Sequence, residues 1–444
     1  MRIVIIGGVA AGMSAAAKAK RINKNAEIIV YERTEVVSWG ACGLPYFLGD
    51  FFTDPEVMIA RTKEEFKENG IEVNIKHEVL NIDVNNKTLK VIDLNTGKEF
   101  QDNYDRLMIA TGASPVIPPI ENVNLKNVFT LKEYEDGIDI KEQLKREEVK
   151  NIVIIGAGYI GIEAAEAMKK LGKNCRLIQL DARVLPDSFD KEITDIMEEA
   201  LTNHGVDLHL KEMVKQLKGE SKVREVVTDK GSYPADLVII CTGVRPNTAF
   251  LKDVGFEMLR NGALIINNYG ETSIKDIYAA GDCASVYHLV RKDNIYIPLA
   301  TTANKIGRVV GENLAGQKNS FQGTLGSGAI KVMDLEAART GISENEAIKN
   351  NIPYKTIFIE EKNQTSYYPG QCNLYIKLIY DPNTKVILGG QIIGKDDAVL
   401  RVDVIATAIF NNMTTDQLGM LDLCYAPPFA RTWDAVNVAG NVAK

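Results

Sequence analysis

Short, almost wholly apolar runs alternate with longer segments of helical spacing from the start of the chain. Residues 3–6 read as a buried strand, the Ala/Lys-rich stretch 12–21 as a helix and 27–31 as a second strand. Strand–helix–strand units of this kind build parallel sheets. The same pattern restarts at 151–155, continues through a helix over 161–171 and returns to a strand at 176–180. Two Rossmann-like units are therefore expected. Between them, 73–91 predicts a small antiparallel insertion, and 106–110 predicts a buried strand running into Thr111 and Gly112. Residues 237–241 and 277–280 predict short strands ending at glycine turns, and 299–314 a helix. Beyond Gly323 the pattern changes to strands at 375–380 and 386–393 and a helix at 398–411, which suits a third, α+β domain.

The expected fold is α/β, with two dinucleotide-binding domains and a C-terminal α+β domain. Residues 1–113 and 243–323 form the first domain, 114–242 the second and 324–444 the third. A chain of 444 residues exceeds what one hydrophobic core supports, in keeping with this division.

Composition narrows the classes. Apolar residues make up 45% and charged residues 25%, ordinary values for a globular protein. A net charge of -7 gives no general basic face, so nucleic acid is not an expected partner. The chain opens on a strand-like run rather than a leader, and no 18-residue apolar stretch follows, so a cytoplasmic protein without a membrane partner is expected. The six cysteines include no CxxC or CxxxxC pair, and neither a metal site nor a disulfide framework is expected. For most of them a buried free thiol is the ordinary state.

Two glycine turns carry the first chemistry. Gly7-Gly8-Val9-Ala10-Ala11-Gly12 keeps the outer glycines of GxGxxG and has Val9 in place of the middle one. Such a turn presents helix N-terminal N–H groups to a pyrophosphate. Glu32, with Arg33 beside it, ends the second strand, where a carboxylate accepts hydrogen bonds from a ribose diol. The second turn, Gly156-Ala157-Gly158-Tyr159-Ile160-Gly161, is complete. Two dinucleotides in one chain point to hydride transfer between a flavin and a nicotinamide.

The order of these motifs resembles the flavoprotein disulfide reductases over essentially the whole chain. Ile277-Tyr278-Ala279-Ala280-Gly281-Asp282 is similar to that family's second FAD motif, which implies that Asp282 binds the ribityl chain. Ala110-Thr111-Gly112 resembles its ATG turn beside the flavin domain. The resemblance also places Cys42, within Ser38-Trp39-Gly40-Ala41-Cys42-Gly43-Leu44-Pro45-Tyr46, beneath the isoalloxazine. Gly43 and Pro45 suit a turn entering a helix, whose dipole favours a thiolate. No second cysteine lies nearby, so Cys42 must cycle through a mixed disulfide with a small thiol, a persulfide or a sulfenic acid. The histidines, His77, His204, His209 and His288, occupy neither position that related peroxidases and glutathione-type enzymes use, and read as ordinary strand or surface residues.

Cys42-Gly43-Leu44-Pro45-Tyr46 and Tyr425-Ala426-Pro427-Pro428 resemble the coenzyme A disulfide reductases. That resemblance implies FAD, NADPH or NADH, and coenzyme A as substrate and product, held covalently by Cys42 in a mixed disulfide. It implies a homodimer whose active sites are shared between subunits, with Tyr425 and Tyr367 reaching the mixed disulfide, although Tyr368 competes for the inward position. Ser14, Lys18 and Arg21, on one helix face, would line the coenzyme A channel with Ser38, Asn304 and Arg308; a solvated basic face is the ordinary explanation of such a stripe. Ala41 stands where relatives can place a polar residue. Tyr159 would swing away as the nicotinamide binds near Glu163. Gln179, where NAD-specific sites place an acid, implies tolerance of both nicotinamide cofactors; Arg183 could pair with a 2'-phosphate, and Asp181 is expected to point outward. The expected reaction is reduction of coenzyme A disulfide. Reduction of coenzyme A persulfide or polysulfide, or of oxygen to water, is the alternative, and a redox-sensing or electron-delivery flavoprotein a third reading.

Overall fold

Three five-stranded sheets carry the molecule, a computed structural model that describes residues 1–444. The first is parallel, in the order Ile277–Ala279, Arg106–Ile109, Arg2–Ile6, Glu27–Tyr31, Glu72–Asn74. Ile3, Val4 and Ile5 have no exposed surface, which explains an apolar run without alternation: a parallel strand is covered on both faces. The second sheet repeats the plan, in the order Asp207–His209, Asn174–Ile178, Asn151–Ile155, Leu237–Ile240, Val128–Thr130. The chain passes between the sheets through Ala113–Pro115 and Val244–Pro246, which pair with each other as an antiparallel ribbon.

Helices Ala10–Ile22 and Tyr159–Lys170 follow the two glycine turns. Each begins two residues earlier than the apolar spacing places it, because Val9 and Gly158 take the cap positions and the first turn needs no apolar period of its own. Helix Ala300–Leu314 crosses the first of these at backbone distance. A Cβ on Gly307 would meet Ala11 O at 2.5 Å, and one on Gly311 would meet Ala15 O at 2.5 Å.

The third sheet is antiparallel, in the order Gly328–Val332, Leu335–Gly341, Ile387–Gly394, Asn373–Tyr380, Lys355–Lys362, with helix Ala398–Phe410 packed against it. Lys377 lies fully buried at its join to the second unit. Its ammonium contacts Glu344 at 2.6 Å, Glu192 at 2.8 Å and Asp190 at 3.6 Å.

Some elements differ from the sequence expectation. Glu72–Asn74 edges the parallel sheet, and the antiparallel insertion runs instead through His77–Asp83, Thr88–Asp93 and Glu99–Asn103. The strands Gly328–Val332, Leu335–Gly341 and Lys355–Lys362 have no counterpart in the predicted pattern; the last is an edge strand whose polar residues mask its period. His288 is wholly buried, and desolvation pulls it down to about 4. No helix is long and apolar enough to cross a membrane.

Candidate functional site

The first glycine turn is built around its backbone. Gly7 adopts φ +106°, and a Cβ there would collide with the carbonyl of Ala110, so the Ala110-Thr111-Gly112 turn backs directly onto it. A Cβ on Gly12 would collide with Gly7 O. The Gly8 N–H donates to Glu32 Oε2 at 2.6 Å, while Thr34 N and Oγ1 donate to Oε1 at 2.8 and 2.9 Å. A carboxylate has about four lone-pair sites, which leaves capacity for a ribose diol. Helix Ala10–Ile22 has no side-chain cap and no acid in its first turn, so its N–H groups and dipole remain available to an anion. These residues fit a flavin dinucleotide. Ala10 and Ala11 open the helix, and a Cβ on Gly281 would touch Ala11 Cβ at 3.1 Å, which seats the Ala280-Gly281-Asp282 turn beside it. Arg33 pairs with Glu133 at 3.2 Å.

The Cys42 loop is pinned to that turn. The Ser38 N–H donates to Gly8 O at 2.8 Å, and the Gly40 N–H to Met58 O at 2.9 Å. Ala41, Cys42 and Gly43 form a 3-10 turn that runs into the short helix Leu44–Leu48. Lys141 secures the far end of this helix, donating to Phe47 O at 2.9 Å and Leu48 O at 2.7 Å. Cys42 is exposed, yet the residues packed around its sulfur desolvate it and push the thiol up. The Glu163 carboxylate pushes it further, and Lys132 opposes both. The expectation of a dipole-favoured thiolate is therefore not met in the protein chain alone; a five-residue helix supplies too little dipole to offset burial.

Glu163 comes from helix Tyr159–Lys170 and accepts a hydrogen bond from the Tyr46 hydroxyl at 3.3 Å. Desolvation pushes Glu163 up to about 7, with the nearby Glu166 charge adding to the effect. Glu166 in turn pairs with Lys331 of the third sheet at 3.2 Å. Lys132 bridges to Asp282 at 3.2 Å. Sequence reasoning missed Tyr46, Lys132 and Lys141. Only the motif context of Cys42 pointed toward Tyr46, and the two lysines lie in no motif.

The second glycine turn matches the first in detail. Gly156 has φ +103°, a Cβ on Gly161 would collide with Gly156 O, and a Cβ on Gly158 would meet nothing within 4 Å, which leaves open space over an uncapped helix start. These residues fit a second dinucleotide. Ile160 opens the helix, and Tyr159 packs against Phe189 with ring centroids 6.4 Å apart. Gln179 occupies the place that Glu32 holds in the first unit: its Oε1 accepts the Ala157 N–H at 2.9 Å. Its Nε2 donates to Asp181 Oδ2 at 2.8 Å. Asp181 is exposed, as expected of a residue past the strand end, and from there its carboxylate accepts the Gln179 amide. Arg183 turns the other way and reaches Phe189 O at 3.5 Å.

On the first helix, Ser14 Oγ donates to Asn304 Oδ1 at 2.8 Å, so these two candidates meet. Lys18 is not a free cation: Glu312 holds its ammonium at 2.8 Å. Arg308 acts on the same carboxylate, while Arg21 donates only to Ala17 O within its own helix, at 3.2 Å. The expected basic stripe is thereby reduced chiefly to Arg21. Tyr367 and Tyr425 meet hydroxyl to hydroxyl at 3.2 Å on the exposed surface of the third domain, where Tyr368 is exposed as well. Desolvation likewise pushes the Cys175, Cys241 and Cys283 thiols up, to about 12, 12 and 11.

The pyridine nucleotide-disulphide oxidoreductase family matches residues 1–307, and its dimerisation domain matches 328–436. An NAD(P)H coenzyme A polysulfide/persulfide reductase of Pyrococcus horikoshii is 41% identical over 443 residues, covering 100% of this chain and 98% of its own. The structure of an NAD-dependent persulfide reductase from A. fulgidus superposes with a TM-score of 0.96 at 36% identity, covering 100% of this chain and 83% of that one. A water-forming NADH oxidase from Lactobacillus brevis superposes with a TM-score of 0.96 at 34% identity, covering 100% and 98%.

Proposed function

The chain belongs to the pyridine nucleotide-disulphide oxidoreductase family, and from that premise we propose that it reduces coenzyme A persulfide or polysulfide with NAD(P)H through Cys42. The observation that carries this reading is the lone, exposed Cys42 thiol beside the hydrogen-bonded pair Tyr46 and Glu163. The persulfide reductases among its relatives favour sulfane sulfur over the coenzyme A disulfide first suggested by the Cys42 motif. Both substrates form the same mixed disulfide, so the two readings differ in the leaving group.

FAD, which Gly7–Gly12 and Glu32 would hold, would supply two-electron transfer between NAD(P)H and sulfur. Cys42 as thiolate attacks the coenzyme A sulfur of CoA–S–SH, forming Cys42–S–S–CoA and releasing HS⁻. Two-electron reduction of the new bond, with one proton, would return the Cys42 thiolate and CoA–SH. The sum is NAD(P)H plus CoA–S–SH giving NAD(P)⁺, CoA–SH and HS⁻. Glu163, near its half-titration point at neutrality, and Tyr46 hold a proton where sulfur changes charge. The Tyr367–Tyr425 pair of a second subunit would supply hydroxyl donors at the coenzyme A side, and Ser14, Asn304 and Arg21 would line its approach. Lone thiols of this kind also pass through a sulfenic acid, so oxygen reduction is the second reading, as in the Lactobacillus brevis relative. A reducing cytoplasm suits either cycle.

Steady-state NADH oxidation, measured anaerobically with polysulfide plus coenzyme A, anaerobically with coenzyme A disulfide, and with oxygen alone, separates the readings. The proposal requires polysulfide turnover that depends on coenzyme A and exceeds the other two. Faster turnover with oxygen, or polysulfide turnover indifferent to coenzyme A, overturns it.

A further inference from the structure

The structure assigns to Asp181 the selection of NADH over NADPH. This rests on residues 156–161 being the nicotinamide nucleotide turn and is independent of which acceptor Cys42 reduces. In such a unit the adenosine ribose lies at the end of the second strand, beside the residue that reads its 2'-position. Two copies of the unit allow an internal comparison. In the first, Glu32 accepts the Gly8 N–H at 2.6 Å and still presents a carboxylate to the ribose. In the second, Gln179 accepts the Ala157 N–H at 2.9 Å with its only side-chain oxygen.

An amide has two N–H donors. One of those on Gln179 is committed to Asp181 Oδ2 at 2.8 Å, and Gln179 is itself buried. The position therefore carries a negative charge after all, borne by a residue two places beyond the usual acid and held in place by the amide. The Asp181 carboxylate, exposed at the rim, can accept the 2'-hydroxyl of NADH, whereas the 2'-phosphate of NADPH would face a like charge at hydrogen-bonding range. The nearby cation that could have offset this charge, Arg183, is directed to Phe189 O and toward Glu198. Lys211 touches Asp181 through its backbone, its N–H donating to Asp181 O at 2.9 Å.

The test uses the FAD-loaded enzyme without a sulfur acceptor. The rate of flavin bleaching is followed against NADH and NADPH concentration. Binding of adenosine 5'-monophosphate and adenosine 2',5'-bisphosphate to the oxidised enzyme is followed by calorimetry. The wild type should prefer NADH by at least about tenfold, with a preference that narrows as salt rises. Asp181→Asn should raise the apparent affinity for NADPH at least about fivefold and move the two adenosine probes in the same sense. A wild-type ratio within about threefold, a preference for NADPH, or a ratio unmoved by Asp181→Asn overturns the assignment. Because no sulfur compound enters the assay, these outcomes leave the proposed acceptor untouched.

Discussion

The Tyr46 hydroxyl and the Glu163 carboxylate meet at 3.3 Å across the joint between the Cys42 helix and the second nucleotide-binding unit. This contact ties the protonation of Glu163 to the state of the Cys42 sulfur, since the carboxylate is the largest charge that pushes the thiol up.

Glu163→Gln removes that charge and should lower the Cys42 thiol pKa. Alkylation of Cys42 by iodoacetamide should then be faster in the variant at neutral pH and above, and the variant's rate profile should lack the wild type's inflection near pH 7. Stability follows the opposite sense of titration. Glu163 binds its proton more tightly in the fold, so its contribution is present below its ordinary value and lost as pH rises to about 7. Urea unfolding at pH 5 and pH 8 should show the wild type losing on the order of 2 kcal/mol more than the variant over that interval.

Lys377, itself fully buried, neutralises the buried Asp190 and the partly exposed Glu192 and Glu344 at the domain junction. Lys377→Met keeps most of the volume but strands the carboxylates, and should cost about 3 kcal/mol in urea unfolding at pH 8. The cost should shrink toward pH 4, where protonation removes the uncompensated charge. A variant as stable as wild type at pH 8 would show that the cluster contributes nothing to the domain junction.

Gly12 and Gly161 are crowded in the same way, each against the carbonyl of the first glycine of its own turn. Alanine at either should therefore disable one site and spare the other. Gly12→Ala should purify without flavin absorbance. Gly161→Ala should retain that absorbance, yet NADH should fail to bleach it at concentrations that saturate the wild type.

Much of this was legible in the sequence. The glycine turns, their strands and the Asp282 motif are local patterns, in which backbone geometry dictates residue type over a dozen positions. What escaped depends on distant partners. Lys18 reads as a free cation until Glu312 is folded against it, and Lys132 has no motif to announce that it meets Asp282. The contact of Asp181 with Gln179 follows from a single amide needing an acceptor, which strand patterning does not encode. Tyr46 and Glu163 lie more than a hundred residues apart, and only the packing of two units brings them together.

The central claim is that Cys42 carries coenzyme A during turnover. Peptide mass spectrometry tests it most directly, on enzyme incubated anaerobically with coenzyme A persulfide and then quenched with iodoacetamide before or after NADH is added. The mechanism predicts a coenzyme A adduct on the Cys42 peptide before NADH, and an alkylated, adduct-free Cys42 afterwards. A Cys42 that is alkylated at both times while NADH is being oxidised would contradict it.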